Sequence, residues 1–106
     1  PEISIITPCY NSSKYLEETI QSVLNQSFTD WEWVITDDCS QDKSIEIIER
    51  HNDPRIKLIK AEKNGGAGYA RNLSLSEAKG RYITFLDADD VWTPNFLEEM
   101  LNFMKR

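Results

Sequence analysis

At 106 residues the chain suffices for one small domain or part of a larger one. Its 40% hydrophobic and 28% charged content excludes intrinsic disorder, and a net charge of −6 argues against sequence-independent nucleic-acid binding, which needs Lys and Arg to neutralise phosphates. No apolar run approaches the roughly 20 residues of a membrane-spanning helix, and residues 3–6 are too short for a signal-peptide core.

Ile3, Ile5 and Ile6 mark a short buried strand that Pro8 is expected to end. Ser12 or Ser13 then caps a predicted helix, whose Leu16, Ile20, Val23 and Leu24 follow helical spacing. Residues 31–36 read as a second strand running into Asp37-Asp38-Cys39-Ser40. Asp42 or Ser44 opens a second helix, which closes before Asn52-Asp53-Pro54. Residues 56–59 predict a third strand, nearer a sheet edge. The glycine-rich residues 64–68 lead into a helix over about 69–79, with Gly80 as its stop. A fourth strand covers 82–86, and Thr93-Pro94 starts a last helix. This alternation specifies an α/β fold, an open and mostly parallel sheet with helices on both faces. Ligands of such sheets bind outside the carboxyl ends of the strands, where the polar clusters of this chain fall.

The fourth strand stops abruptly at Asp87, Asp89 and Asp90. An extended continuation puts Asp87 and Asp89 on one side, and paired carboxylates repel unless a cation lies between them. Mg²⁺ typically takes one or two carboxylates plus substrate phosphates, so Asp-x-Asp is a candidate diphosphate–metal site. Helix capping by Asp89 and Asp90 is the plainer alternative. Turn formation is likewise the plainer alternative for Asp37 and Asp38. Residues 64–68 lack the Gly-Lys-Ser/Thr ending of a phosphate-binding loop and fail the dinucleotide fingerprint, so a flexible turn is expected there. Cys9 and Cys39 match neither a disulfide framework nor a zinc spacing and are expected as free thiols in a reducing cytosol. His51 reads as a solvated loop residue, and Trp31, Trp33 and Trp92 as core or edge aromatics, Trp92 within reach of a ligand.

Four segments occur in a telling order: Ile5-Ile6-Thr7-Pro8-Cys9-Tyr10-Asn11, Val34-Ile35-Thr36-Asp37-Asp38-Cys39-Ser40, Gly68-Tyr69-Ala70-Arg71-Asn72 and Phe85-Leu86-Asp87-Ala88-Asp89-Asp90. Their order and spacing resemble glycosyltransferase family 2. The resemblance implies a GT-A fold and inverting transfer from a nucleotide-diphosphate sugar, a UDP-sugar, to a saccharide or lipid-linked acceptor in polysaccharide or glycoconjugate synthesis. It implies that Pro8 and Tyr10 line the nucleoside pocket and that Asp38 accepts hydrogen bonds from the base. Asp87 would lie near ribose and diphosphate, Asp89 and Asp87 would hold a divalent metal (Mn²⁺ or Mg²⁺), and Arg71 would neutralise a carboxylate or a phosphate. Cys39 departs from the glycine more usual in the family. The resemblance also implies the N-terminal, donor-binding portion of a longer cytoplasmic enzyme, at the cytosolic face of a membrane. Its general base would lie beyond Arg106, and its cut surface would be open to dimerisation.

Two readings of other classes stand beside this one. Asp87-x-Asp89-x-Val91 after a strand also resembles the nucleophile motif of haloacid-dehalogenase phosphatases, although only a short stretch follows it here. A non-catalytic nucleotide-sugar-binding module would need the same pocket and no general base.

Overall fold

The computed structural model describes residues 1–105. Four strands, β1 (Ile3–Cys9), β2 (Trp31–Asp37), β3 (Ile56–Lys60) and β4 (Tyr82–Phe85), alternate with four helices. These are α1 (Leu16–Leu24), α2 (Ser44–Glu49), α3 (Ala67–Glu77) and α4 (Phe96–Met104). The sheet is parallel throughout, in the order β3-β2-β1-β4. Growth from β1 through β2 to β3 runs one way, and the chain then crosses back to lay β4 on the other side of β1. The order reverses between β1 and β4, which is where open α/β sheets bind ligands. Among the described residues no helix is long and apolar enough to cross a membrane.

Alternation of side chains divides the sheet into two unlike faces. Ile3 is in register with Trp31, Ile5 with Trp33, and Thr7 with Ile35, and all six are buried. Leu16, Ile20 and Val23 of α1, Ile48 of α2, and Leu97 and Leu101 of α4 close over that side as the main core. The opposite face carries Ser4, Ile6 and Pro8 beside Glu32, Val34 and Thr36, and α3 lies across it. Contact there is partly polar. Thr36 and Ser74 hydroxyls meet at 2.7 Å, and only small residues of α3, Ala70 and Ser74, are buried.

β1 runs through Pro8 to Cys9 instead of stopping before it. Even-numbered β1 residues bond towards β4, as Tyr82 N–H to Glu2 O and Leu86 N–H to Ile6 O show. The next rung of the parallel ladder would run from residue 8 to Leu86 O; Pro8 has no N–H to give, so the β1–β4 pairing ends at Ile6 and the Thr7 hydroxyl takes that carbonyl instead. Other boundaries also move. α1 begins at Leu16 with no side-chain cap, because the Ser12 hydroxyl donates to Tyr10 O while the Ser12 carbonyl opens the turn to Leu16 N–H. α3 begins two residues early, at Ala67, and ends at Glu77. Gly80 is not its C-cap; a Cβ there would stand 2.5 Å from Ser4 N, so glycine lets this segment press against β1. α4 starts at Phe96, after Pro94 has spent its carbonyl on Ser27 N–H. β3 is an edge strand, as expected. Ile83 and Phe85 of β4 stay exposed on the other edge.

Under α3, Glu32 is 4% exposed. It receives Ser4 Oγ, Lys57 Nζ at 2.8 Å and the Lys79 N–H. Burial raises the carboxyl's proton affinity, but the bonds from Lys57, Ser4 and Lys79 outweigh it and hold the pKa at about 2, against an ordinary 4.5. A depressed carboxyl stabilises the fold fully above pH ~4.5 and loses that contribution as pH falls towards 2. Glu32→Gln should therefore cost about 1–3 kcal/mol at neutral pH, read from the urea midpoint, and should flatten the acid limb of the stability profile.

Past β2 the backbone turns through Cys39 at φ 66°, a left-handed conformation that L-residues adopt at a cost. Cys39 Sγ donates weakly to Ala61 O at 3.3 Å. Cys39→Gly should stabilise the protein by about 0.5 kcal/mol, since relief of left-handed strain exceeds glycine's added unfolded-state entropy. A fall in melting temperature would contradict that balance.

Candidate functional site

A cleft of about 550 Å³ opens at the β1/β4 switch point, walled by the ends of β1, β2 and β4 and the start of α3. The residues expected to bind nucleotide or metal, Pro8, Tyr10, Asp38, Arg71, Asp87 and Asp89, line it, while Asp90 borders an adjoining hollow.

The acidic turn forms the floor on the β4 side. Oxygens of Asp87, Asp89 and Asp90 lie within 4.8 Å of one another, all on exposed residues. Asp90 thus joins the pair expected from alternation, because Asp90 N–H bonds to Asp87 O and bends the chain back. Arg71 Nη2 stands 3.6 Å from Asp87 Oδ1, a loose ion pair with both side chains partly solvated. Three carboxylates facing one guanidinium leave a surplus of negative charge, and an all-oxygen, solvent-open donor set suits a hard divalent cation. The residues present therefore fit the expected metal, with Asp87, Asp89 and Asp90 able to supply ligand oxygens.

Opposite, Tyr10 presents its ring at 49% exposure, with Tyr15 beside it at 46%. Asn11 turns the chain out of β1 at φ 48°, a left-handed conformation that asparagine tolerates. Successive amides then find acceptors across the cleft rim: Asn11 N–H donates to Ser40 Oγ, Ser12 N–H to Ser44 Oγ, and Ser13 N–H to Asp42 Oδ2. Asn11 Oδ1 returns the favour by accepting Gln41 N–H at 2.8 Å. Desolvation disfavours ionised Asp42, yet bonds from Ser44 and Ser13 prevail and lower its pKa to about 2. Buried Cys9 sits behind this rim. Burial and the Asp37 charge push its thiol up to about 11, so it is an inert thiol and not a nucleophile.

The acidic pair after β2 divides its work. Asp37 accepts Ser40 N–H and Ser40 Oγ, the turn chemistry anticipated for it. Asp38, 3% exposed, accepts Gly65 N–H at 2.9 Å on one oxygen and Gly66 N–H at 2.8 Å on the other. The glycine-rich loop is therefore tied down, not a free turn, and its amides do meet an anion, one from the chain itself. A carboxylate has about four acceptor positions, so Asp38 keeps capacity towards the cleft.

Other expectations change. His51 is not a free loop side chain: Nε2 lies 3.0 Å from Glu17 Oε1, away from the cleft. Trp92, by contrast, packs partly buried against the core as expected, stacking on Phe96 at 4.5 Å, and borders a separate hollow with Arg71 and Asp87. Sequence reasoning missed Tyr15 and did not foresee that the Gly65–Gly66 amides would meet Asp38. Tyr15 falls just before a regular helix, and only the fold reveals which way such a residue faces.

The sequence matches the family model described as glycosyl transferase family 2 over residues 4–106. It is 42% identical over 102 residues to the Escherichia coli UDP-Glc:alpha-D-GlcNAc-diphosphoundecaprenol beta-1,3-glucosyltransferase WfgD, covering 96% of this chain and 40% of WfgD. Staphylococcus aureus TarS 1–349 in complex with UDP-GlcNAc superposes with a TM-score of 0.94 at 36% identity, covering 99% of this chain and 31% of that one. The mannosyltransferase PcManGT from Pyrobaculum calidifontis, in complex with GDP-Man and Mn²⁺, gives 0.81 at 28% identity, covering 87% of this chain and 28% of its own. The chain thus spans two fifths or less of these proteins, within a GT-A-like α/β fold. It belongs to glycosyl transferase family 2.

Proposed function

We propose that this chain is the donor-binding portion of an inverting glycosyltransferase, taking a UDP-sugar with a divalent cation and delivering its sugar to a saccharide or lipid-linked hydroxyl. One observation carries the reading: an aromatic ring, a carboxylate, a guanidinium and an acidic turn share a single cleft at the switch point. The TarS complex with UDP-GlcNAc and the PcManGT complex with Mn²⁺ support the nucleotide and the metal.

The residues divide the ligand between them. Tyr10 offers a face or edge to the nucleobase. Asp38 points remaining lone pairs at the base and matches the N–H of uracil, while its bonds to Gly65 and Gly66 keep it from swinging away. Arg71, held only loosely by Asp87, can pass to a phosphate oxygen. Asp87, Asp89 and Asp90 would hold the cation. When bound, that cation supplies Lewis-acid stabilisation of the departing diphosphate. The matched region is only two fifths of WfgD, and we place acceptor recognition and the general base in the remainder of the full-length enzyme.

Calorimetric titration with UDP should show Mn²⁺-enhanced binding that Asp89→Ala abolishes. Equal binding with and without Mn²⁺ would remove the metal from the account. Asp38→Asn should weaken UDP about tenfold in either condition, because one amide-accepting, base-facing oxygen becomes a donor. Unchanged affinity would exclude Asp38 from base recognition.

A further inference from the structure

Two buried threonines outside the cleft hold the acidic turn by its main chain. Thr7 Oγ1 donates to Leu86 O at 2.6 Å, and Thr19 Oγ1 donates to Ala88 O at 3.0 Å. Both threonines are fully buried, and Leu86 and Ala88 are nearly so, at 3% and 5% exposed. The Thr19 proton also has Tyr15 O within 3.4 Å, the longer and weaker option. Drawing the carbonyls of 86 and 88 inward orients the intervening peptide units. The side chains of Asp87 and Asp89 are thereby sent outward together.

Some such restraint is physically required. Three carboxylates with oxygens inside 4.8 Å repel one another, and without a cation that repulsion acts to splay the turn. The floor beneath is otherwise apolar core, where an unpaired carbonyl is costly. Hydroxyls at positions 7 and 19 satisfy both carbonyls and oppose splaying before any ligand arrives.

We propose that Thr19, with Thr7, is a positioning residue for the cation-binding carboxylates, setting metal affinity by preorganising the acidic turn without touching the metal. This rests on the metal-dependent donor binding proposed above. Thr19 isolates the effect best. Thr7 also accepts Trp33 Nε1–H at 2.8 Å, so its replacement disturbs the core as well.

The test uses Thr19→Val, close in shape but without the hydroxyl, and Thr19→Ser, which restores it. Mn²⁺ affinity in the presence of UDP would be measured by electron paramagnetic resonance, below the melting transition of every variant. UDP affinity in EDTA would be measured in parallel. Thr19→Val should weaken Mn²⁺ about tenfold, Thr19→Ser should stay within about threefold of wild type, and metal-free UDP binding should not change. Thr7→Val should weaken Mn²⁺ in the same direction and serves should Thr19→Val not fold. Wild-type Mn²⁺ affinity in folded Thr19→Val would overturn the inference alone, as would equal losses in Mn²⁺ and metal-free UDP binding. Failure of the wild-type protein to bind Mn²⁺ with UDP would overturn the proposed function and this inference together.

Discussion

The hydroxyl of Thr7 is the contact on which the site's construction rests. It accepts from the Trp33 indole of β2 and donates to the carbonyl of Leu86, where β4 ends. One buried group in the middle strand thereby ties its two neighbours together at the carboxyl ends. This explains why a tryptophan can be fully buried in β2 with its N–H satisfied. It also holds the start of the acidic turn to the end of β1, three residues before Tyr10. Hydrophobic burial on this face supplies the driving force, but burial is non-directional. The hydroxyl bonds add direction at the ends of the strands that form the cleft.

The second constraint is charge. A chain of net charge −6 gathers further carboxylates at the mouth where an anionic ligand is proposed to enter. Most acids near the cleft are already answered from within: Asp37 by Ser40, Asp38 by two glycine amides, Asp42 by serine amides. Glu32, beneath α3, is answered by Lys57. What remains is the acidic turn, met only loosely by Arg71. Around the cleft, the acids bonded from within leave the acidic turn as the cluster of carboxylates open to a cation, which is the electrostatic condition for a cation site. The fold thus separates carboxylates that shape the cleft from carboxylates left open to a ligand.

Much of this was legible in the sequence because the informative signals are local. Isoleucine-rich strands, the alternation with helices, and the placing of Asp-x-Asp after a strand each need only a few adjacent residues. Asp87 and Asp89 came from those signals; Pro8, Tyr10, Asp38 and Arg71 came from the resemblance to glycosyltransferase family 2, and all six line one cleft. What stayed hidden depends on contacts between distant positions. Nothing around Asp38 announces that Gly65 and Gly66 will bond to it, and nothing around Thr19 announces the carbonyl of Ala88. Pro8 misled for a similar reason. A proline need not end a strand where another donor takes the carbonyl its missing N–H would have met, and that the Thr7 hydroxyl reaches Leu86 O is a property of the whole sheet. The extra carboxylate, Asp90, follows from a turn closing on Asp87 where an extended chain was expected.

The most direct test is the position of the metal itself. Crystals grown with UDP and Mn²⁺ should show one anomalous-scattering peak at the acidic turn, coordinated by Asp89 or Asp87 and by diphosphate oxygens, with the uracil against Tyr10. A Mn²⁺ peak elsewhere, or a nucleotide bound outside the β1/β4 cleft, would contradict the account.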